Sequence, residues 1–194
     1  GYAPETVAAA NRAAVELVEE FRRDYATPDA PVVISGCIGP RGDGYSPINL
    51  MTVEDAQEYH SLQINIFRNK PVDIISALTM NYLEEAVGIV LACNVVVLPV
   101  VLSFTVEING KLPTGMTLKE AIEQVDGSVQ VPPIYYMINC AYPSHFIEEL
   151  RGGAKESWTK RIRGIRANAS CKSHAELDES IDLDRGDPAE LGLL

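Results

Sequence analysis

Five apolar runs rich in β-branched residues recur along the chain, at 31–35, 72–76, 98–105, 134–140 and 161–167. Helical patterns fill the intervals. Thr52-Val-Glu-Asp55 has the form of a capping box with the shorter acid, and Ala56, Tyr59, Ile66 and Phe67 continue it to about Arg68. Leu83, Ala86, Val87, Val90 and Leu91 mark a second helix, and Thr117-Leu-Lys-Glu120 opens a third with a full capping box. A short helix is expected near 146–150, and Ser173-His-Ala-Glu176 repeats the capping pattern after the last strand. Ahead of the first strand, Pro4 opens a helix whose apolar face is expected to be Val7, Ala10, Ala14, Leu17 and Phe21.

Strands alternating with amphipathic helices give parallel βαβ units, so the class is α/β. Strand starts lie roughly 27 to 40 residues apart, close to the ~31 per unit of an eight-unit barrel and compatible with a doubly wound sheet. Polar residues gather at the C-terminal ends of all five strands: Ser35-Gly-Cys37, 76–79, 103–107, Asn139-Cys140 and 168–170. In a barrel those ends converge on one mouth, and this favours the barrel.

With 16 Lys and Arg against 27 Asp and Glu, the net charge of -11 repels phosphate backbones and anionic lipid, so no nucleic-acid or membrane partner is expected. The longest apolar stretch, 95–104, is too short for a membrane span and holds Pro99 in its middle. The N-terminus has no signal-peptide pattern, and four scattered cysteines without a CxxC read as reduced thiols, so the expected localisation is cytoplasmic. No G-x-G-x-x-G or P-loop fingerprint is present. Residues 39–44 invite a phosphate-loop reading, but Pro40 removes a donor and Asp43 repels phosphate, so a structural turn is expected.

Chemistry is expected at the strand ends. Cys140 is either a thiolate nucleophile or metal ligand, or a small buried apolar residue, and Cys37 is open to the same alternatives. Cys93, within a helix, is structural. Glu107 is either a carboxylate at the mouth able to pair with a substrate ammonium group, or a solvated acid beside the Ile108-Asn-Gly110 turn. Thr79 and Asn168 suit substrate contact or loop anchoring equally. His60, His145 and His174 lack the spacing of helical zinc motifs and are assigned surface or supporting roles.

Cys37-Ile-Gly-Pro-Arg-Gly-Asp43, Glu84-Glu-Ala86, Ser103-Phe-Thr105 and Ile138-Asn-Cys140, in this order and spacing, resemble the homocysteine S-methyltransferase family. Arg166-Ala-Asn168 stands where that family commonly has a proline-asparagine pair, and the similarity runs from about Val7 to about Gly192. The resemblance implies a (β/α)8 TIM barrel that methylates the thiolate of homocysteine to form methionine, with zinc held by three cysteine thiolates. Zinc lowers the thiol's pKa so that the substrate sulfur binds as a nucleophile. It implies Cys140 as the first zinc ligand and a sulfonium, folate or betaine-type methyl donor.

Two departures stand out. The family's remaining ligands form an adjacent cysteine pair, and this sequence contains no Cys-Cys; Cys171 follows Ser170 and does not replace it. Leu78 occupies the place where many relatives carry a substrate-holding glutamate, and Glu107 is the replacement candidate. The expected substrate-binding residues are thus Thr79, Glu107 and Asn139, with Cys140 as metal ligand. The 194 residues match strands three to seven, so the chain (1–194) is expected to be one partial barrel domain. The expected partner is homocysteine or a similar small thiol, and a homo-oligomer is left open. The rival reading is a non-catalytic small-molecule binding relative that has lost the complete zinc site. An aldolase-like lyase lacks a strand-end lysine for Schiff-base chemistry.

Overall fold

The computed structural model describes residues 2–193. Five strands, β1 (Ser35–Ile38), β2 (Ile74–Met80), β3 (Val100–Phe104), β4 (Tyr136–Asn139) and β5 (Ile162–Arg166), form one sheet in the order β1-β2-β3-β4-β5 with every neighbouring pair parallel. Helices α1 (Pro4–Tyr25), α2 (Val53–Arg68), α3 (Leu83–Val96) and α4 (Leu118–Ser128) precede successive strands, and α5 (Ile147–Gly152) lies between β4 and β5. Two short helices follow, α6 (His174–Asp178) and α7 (Pro188–Leu191).

Sequential strand order separates the two α/β architectures. A doubly wound sheet reverses direction at a switch point, whereas here every crossover steps the same way, and right-handed crossovers then place the helices on one face. Consecutive helices accordingly pack on one another, α1 on α2, α2 on α3 and α3 on α4. Alternation follows the pleat. Gly36, Ile38, Ile75, Ala77, Leu102, Tyr136 and Ile138 are buried toward the helices, while Ser35, Cys37 and Ser76 face the other side, where the Ser35 and Ser76 hydroxyls meet at 2.6 Å. Ser103, Met137 and Gly164 continue that inner face by register, followed by Asn139 beside Arg166.

The strand boundaries differ from the expected ones. The first strand begins at Ser35 rather than Pro31, because the Asp73 carboxylate takes the Ile34 N–H at 2.7 Å and Pro31 has no N–H to donate. The second extends to Met80 rather than stopping at Ser76, with a register shift between Ala77 and Met80 that inserts one extra residue against β3. The inward line of α1 also differs. Val15 is its buried residue, flanked by Asn11, whose Oδ1 accepts from Gln63 Nε2 at 2.9 Å, and by Arg22, which pairs with Asp73 at 2.7 Å. These tertiary bonds set the helix's rotation, leaving Leu17 and Phe21 outside, 58% and 54% exposed, with Phe21 stacked on Tyr25.

The N-terminal ends of β4 and β5 are clamped by Arg161. Its guanidinium meets both oxygens of Asp126 on α4, at 2.8 and 3.0 Å, and the Pro133 carbonyl at 2.6 Å, over the Tyr136 ring. Helix α3, packed against β2 and β3 with α2 and α4 as neighbours, is the most buried helix among the described residues, from Glu85 to Val96. It approaches α2 at Gly88, where an added Cβ would stand 2.6 Å from Ala56 Cβ and 2.7 Å from the Val53 carbonyl oxygen. Gly88→Ala gains about 1 kcal/mol of helix propensity but forces backbone apart at an overpacking cost of up to about 3 kcal/mol. A net loss near 2 kcal/mol is expected in urea unfolding, and an unchanged midpoint would contradict this packing.

Candidate active site

The C-terminal ends of β2, β3 and β4 are joined by one side chain. Asn139, 2% exposed, accepts on Oδ1 from the Ser103 hydroxyl at 2.6 Å and the Thr79 backbone N–H at 2.9 Å. Its Nδ2 donates to Thr79 Oγ1 at 2.8 Å and to Cys140 Sγ at 3.0 Å. Both lone pairs and both hydrogens of the amide are used, and the Thr79 N–H, which can only donate, fixes which end is oxygen. The amide therefore presents an N–H to the sulfur of Cys140, which acts as acceptor.

The backbone at this point is bent to serve the network. Thr79, in the β2 bulge, has φ +62°, and Cys140, directly after β4, has φ +56°; both are left-handed conformations that side-chain-bearing residues rarely adopt. Such positions cost on the order of 1–3 kcal/mol each and persist where surrounding contacts hold them. Here the contacts are mutual. Thr79 Oγ1 also lies 4.0 Å from Cys140 Sγ, and the Cys140 N–H donates to the Arg166 carbonyl at 3.1 Å.

Two further elements close around the thiol. Ser173 caps α6 with a full capping box and sets His174 in its first turn. His174, 8% exposed, reaches the Cys140 carbonyl from Nε2 at 2.6 Å and Glu107 Oε1 from Nδ1 at 3.1 Å. The Cys140 carbonyl can only accept, so Nε2 donates to it, and Nδ1 faces the Glu107 carboxyl group. Glu107 is held by its backbone in the turn to Gly110, with its N–H on the Lys111 carbonyl at 2.8 Å. The Tyr45 ring, from the segment between β1 and α2, lies on His174 with centroids 4.0 Å apart. Burial pushes the Tyr45 phenol well above its ordinary pKa, and the neighbouring Cys140 side chain adds to the shift. Asp43 is held below the usual carboxylate range by the Tyr45 and Ser46 N–H groups that its Oδ1 accepts.

The four candidate residues thus lie at one end of the sheet. Thr79, Asn139 and Cys140 are in direct contact, and Glu107 connects to Cys140 through His174. The surface alternative does not hold for two of the three histidines, which are buried in supporting contacts. His174 bridges Glu107 and Cys140, and His60, 3% exposed, pairs with Glu85 at 2.8 Å between α2 and α3. His145 donates to the Cys171 carbonyl at 3.0 Å. Tyr45, directly after the glycine-rich stretch, is not singled out by the sequence; Asp43, two residues earlier, is the available signal, since an aspartate there forms a turn on its own chain. Asn168 anchors backbone, its N–H on the Ala141 carbonyl.

The cysteines do not converge. Cys93 is buried in α3, where burial pushes its thiol up to about 12. Cys37 is exposed on the inner face of β1; partial burial raises its pKa against the opposing pull of Arg166. Cys171 is exposed beyond β5. Among the described residues no three His, Cys, Asp or Glu side chains come together to hold a metal ion. The three-thiolate zinc site implied by the resemblance does not fit these residues alone, with Cys140 its single counterpart.

A singly wound parallel sheet with a polar thiol site at its C-terminal mouth defines a barrel-type α/β fold. The family profile described as homocysteine S-methyltransferase matches residues 1–189, and the chain belongs to that family. The apo crystal structure of homocysteine methyltransferase MmuM from Escherichia coli superposes with a TM-score of 0.67 at 18% identity, over 91% of this chain and 73% of that one. Its metallated and oxidised forms each give 0.63 at 16% identity, over 90% of this chain and 68% of theirs. No curated protein sequence matches the chain. Among the described residues no helix is long and apolar enough to cross a membrane.

Asn139→Ala leaves the Thr79 N–H and Ser103 hydroxyl without their buried partner, at about 1–3 kcal/mol each. Urea unfolding is expected to show a loss of about 2–4 kcal/mol, the Ser103 hydroxyl being free to rotate. A loss below about 0.5 kcal/mol, the size of an ordinary surface change, would mean that the amide does not tie the strand ends.

Proposed function

We propose that this chain carries the acceptor side of a methyl-transfer site that methylates the thiol of homocysteine to give methionine. The observation that supports this reading most is the Asn139 amide. It holds a strand-end cysteine in a left-handed conformation at the mouth, in a chain of the homocysteine S-methyltransferase family. In the transfer a bond forms between the substrate sulfur and the methyl carbon, the donor's bond to that carbon breaks with its electron pair going to the donor atom, and the thiol proton passes to water or, with a folate-type donor, to the departing nitrogen. The donor is of sulfonium, folate or betaine type.

Each side chain takes a role that its position permits. Glu107 commits Oε1 to His174, and its Oε2 makes no hydrogen bond among the described residues, leaving an acceptor for the substrate's ammonium group. Thr79, with its hydroxyl between Asn139 and Cys140, borders the place of the substrate thiol. Asn139 orients Cys140. In this reading Cys140 is the one zinc ligand these residues contribute, and a closed tetrahedral site needs further donors. We take 1–194 as most of one barrel domain, with β1 and β5 as strand edges open to further pairing, and a cytoplasmic setting as compatible with its unpaired thiols.

Transfer of a 13C-methyl group to homocysteine, followed by NMR with one donor of each class, tests the reading. Labelled methionine is expected with one donor class, with turnover reduced about a hundredfold or more in Cys140→Ser. No labelled methionine with any donor, or full turnover in Cys140→Ser, would overturn it.

A further inference from the structure

Residues 39–52 between β1 and α2 carry no regular secondary structure, yet they are fixed at three points from one short stretch at the end of β2 and the start of α3. Glu85 Oε1 accepts the Arg41 backbone N–H at 2.7 Å, Asn81 Nδ2 donates to the Asp43 carbonyl at 3.0 Å, and the Tyr82 hydroxyl accepts the Met51 N–H at 3.2 Å. All three anchors are buried, Glu85 completely. Between the first two points and Met51, the Asp43 turn sets Tyr45 on the His174 ring, which itself bonds the Cys140 carbonyl.

Glu85 is the central anchor because its Oε1 also pairs with His60 Nε2 at 2.8 Å, joining the loop, α2 and α3 through one atom. Its other oxygen, Oε2, is buried with no hydrogen-bond partner among the described residues, as is Asn81 Oδ1. A buried, unpaired polar oxygen costs about 1–3 kcal/mol. For packing α2 against α3 alone, an apolar side chain would therefore serve better. What the carboxylate adds is its hold on Arg41, at the foot of the segment that carries Tyr45.

We propose that Glu85 is a positioning residue for the Cys140 site: it fixes the β1–α2 segment so that Tyr45 stands on His174, over the Cys140 end of β4, and restricts access to the thiol. The inference rests on the geometry of the loop and holds whatever the methyl acceptor is.

The test uses a Cys37→Ser, Cys171→Ser background and follows alkylation of Cys140 by iodoacetamide through peptide mass spectrometry. Fully buried Cys93 in the same chain gauges global unfolding. Glu85→Ala is expected to speed Cys140 alkylation about tenfold while Cys93 stays protected, because local opening exposes only what the loop covers. Tyr45→Ala is expected to give the same rise, and the two together no more than either, as for residues acting in one chain of contacts. Glu85→Gln keeps an acceptor oxygen for Arg41 and is expected to stay within about twofold of the parent. A Cys140 rate unchanged in Glu85→Ala, a parallel rise of Cys93 and Cys140, or a Glu85→Gln rate matching Glu85→Ala would each overturn the proposal.

Discussion

The saturated amide of Asn139 is the interaction on which the rest of the site depends. Three parallel strands end near one another in any such sheet, but nothing in parallel pairing ties their ends, since the ladder stops where the loops begin. Asn139 supplies that tie with four hydrogen bonds, to a hydroxyl on β3, an N–H and a hydroxyl on β2, and the thiol beside it. Because the amide is buried, losing any partner would leave a polar atom dry, and this cost makes the arrangement specific. The left-handed backbone at Thr79 and at Cys140 is strain that the amide's contacts hold in place.

Around this core the chain spends polar groups on placing loops. Glu85, Asn81 and Tyr82 hold the β1–α2 segment, while Ser173 caps α6 and delivers His174 to Glu107 and to the Cys140 carbonyl. At the opposite end of the sheet, the bidentate Arg161–Asp126 pair and the Tyr136 hydroxyl on Asp126 serve stability rather than chemistry. The strand ends carry or adjoin the candidate positions, and buried polar contacts aim the loops beside them.

The architecture was legible because its signals are local. Val- and Ile-rich runs mark the strands, and Thr117 with Glu120 and Ser173 with Glu176 form the capping boxes their spacing predicts. Boundaries were less legible: Asp73 competes for the Ile34 N–H, and a bulge that lengthens β2 leaves no mark in a periodic pattern. Asn139 and Cys140 are singled out in the sequence by the family motif and the strand-end rule. His174, His60 and Tyr45 are not, because each owes its role to a partner distant in sequence: Cys140, Glu85 and His174 respectively. The apolar face of α1 was misplaced for the same reason, since Asn11 and Arg22 find tertiary partners that periodicity does not register.

The proposed function requires a homocysteine-type amino acid to bind at the mouth formed by Thr79, Glu107, Asn139 and Cys140. Calorimetric melting at rising homocysteine concentration tests it most directly, because a ligand bound only by the folded state stabilises it by about 2.7 kcal/mol at a hundred times its Kd. For a chain of this size that corresponds to a rise in Tm of about 5–10 °C, which Glu107→Gln should largely abolish. A flat Tm across the titration, or the same rise in Glu107→Gln as in the parent, would contradict the account.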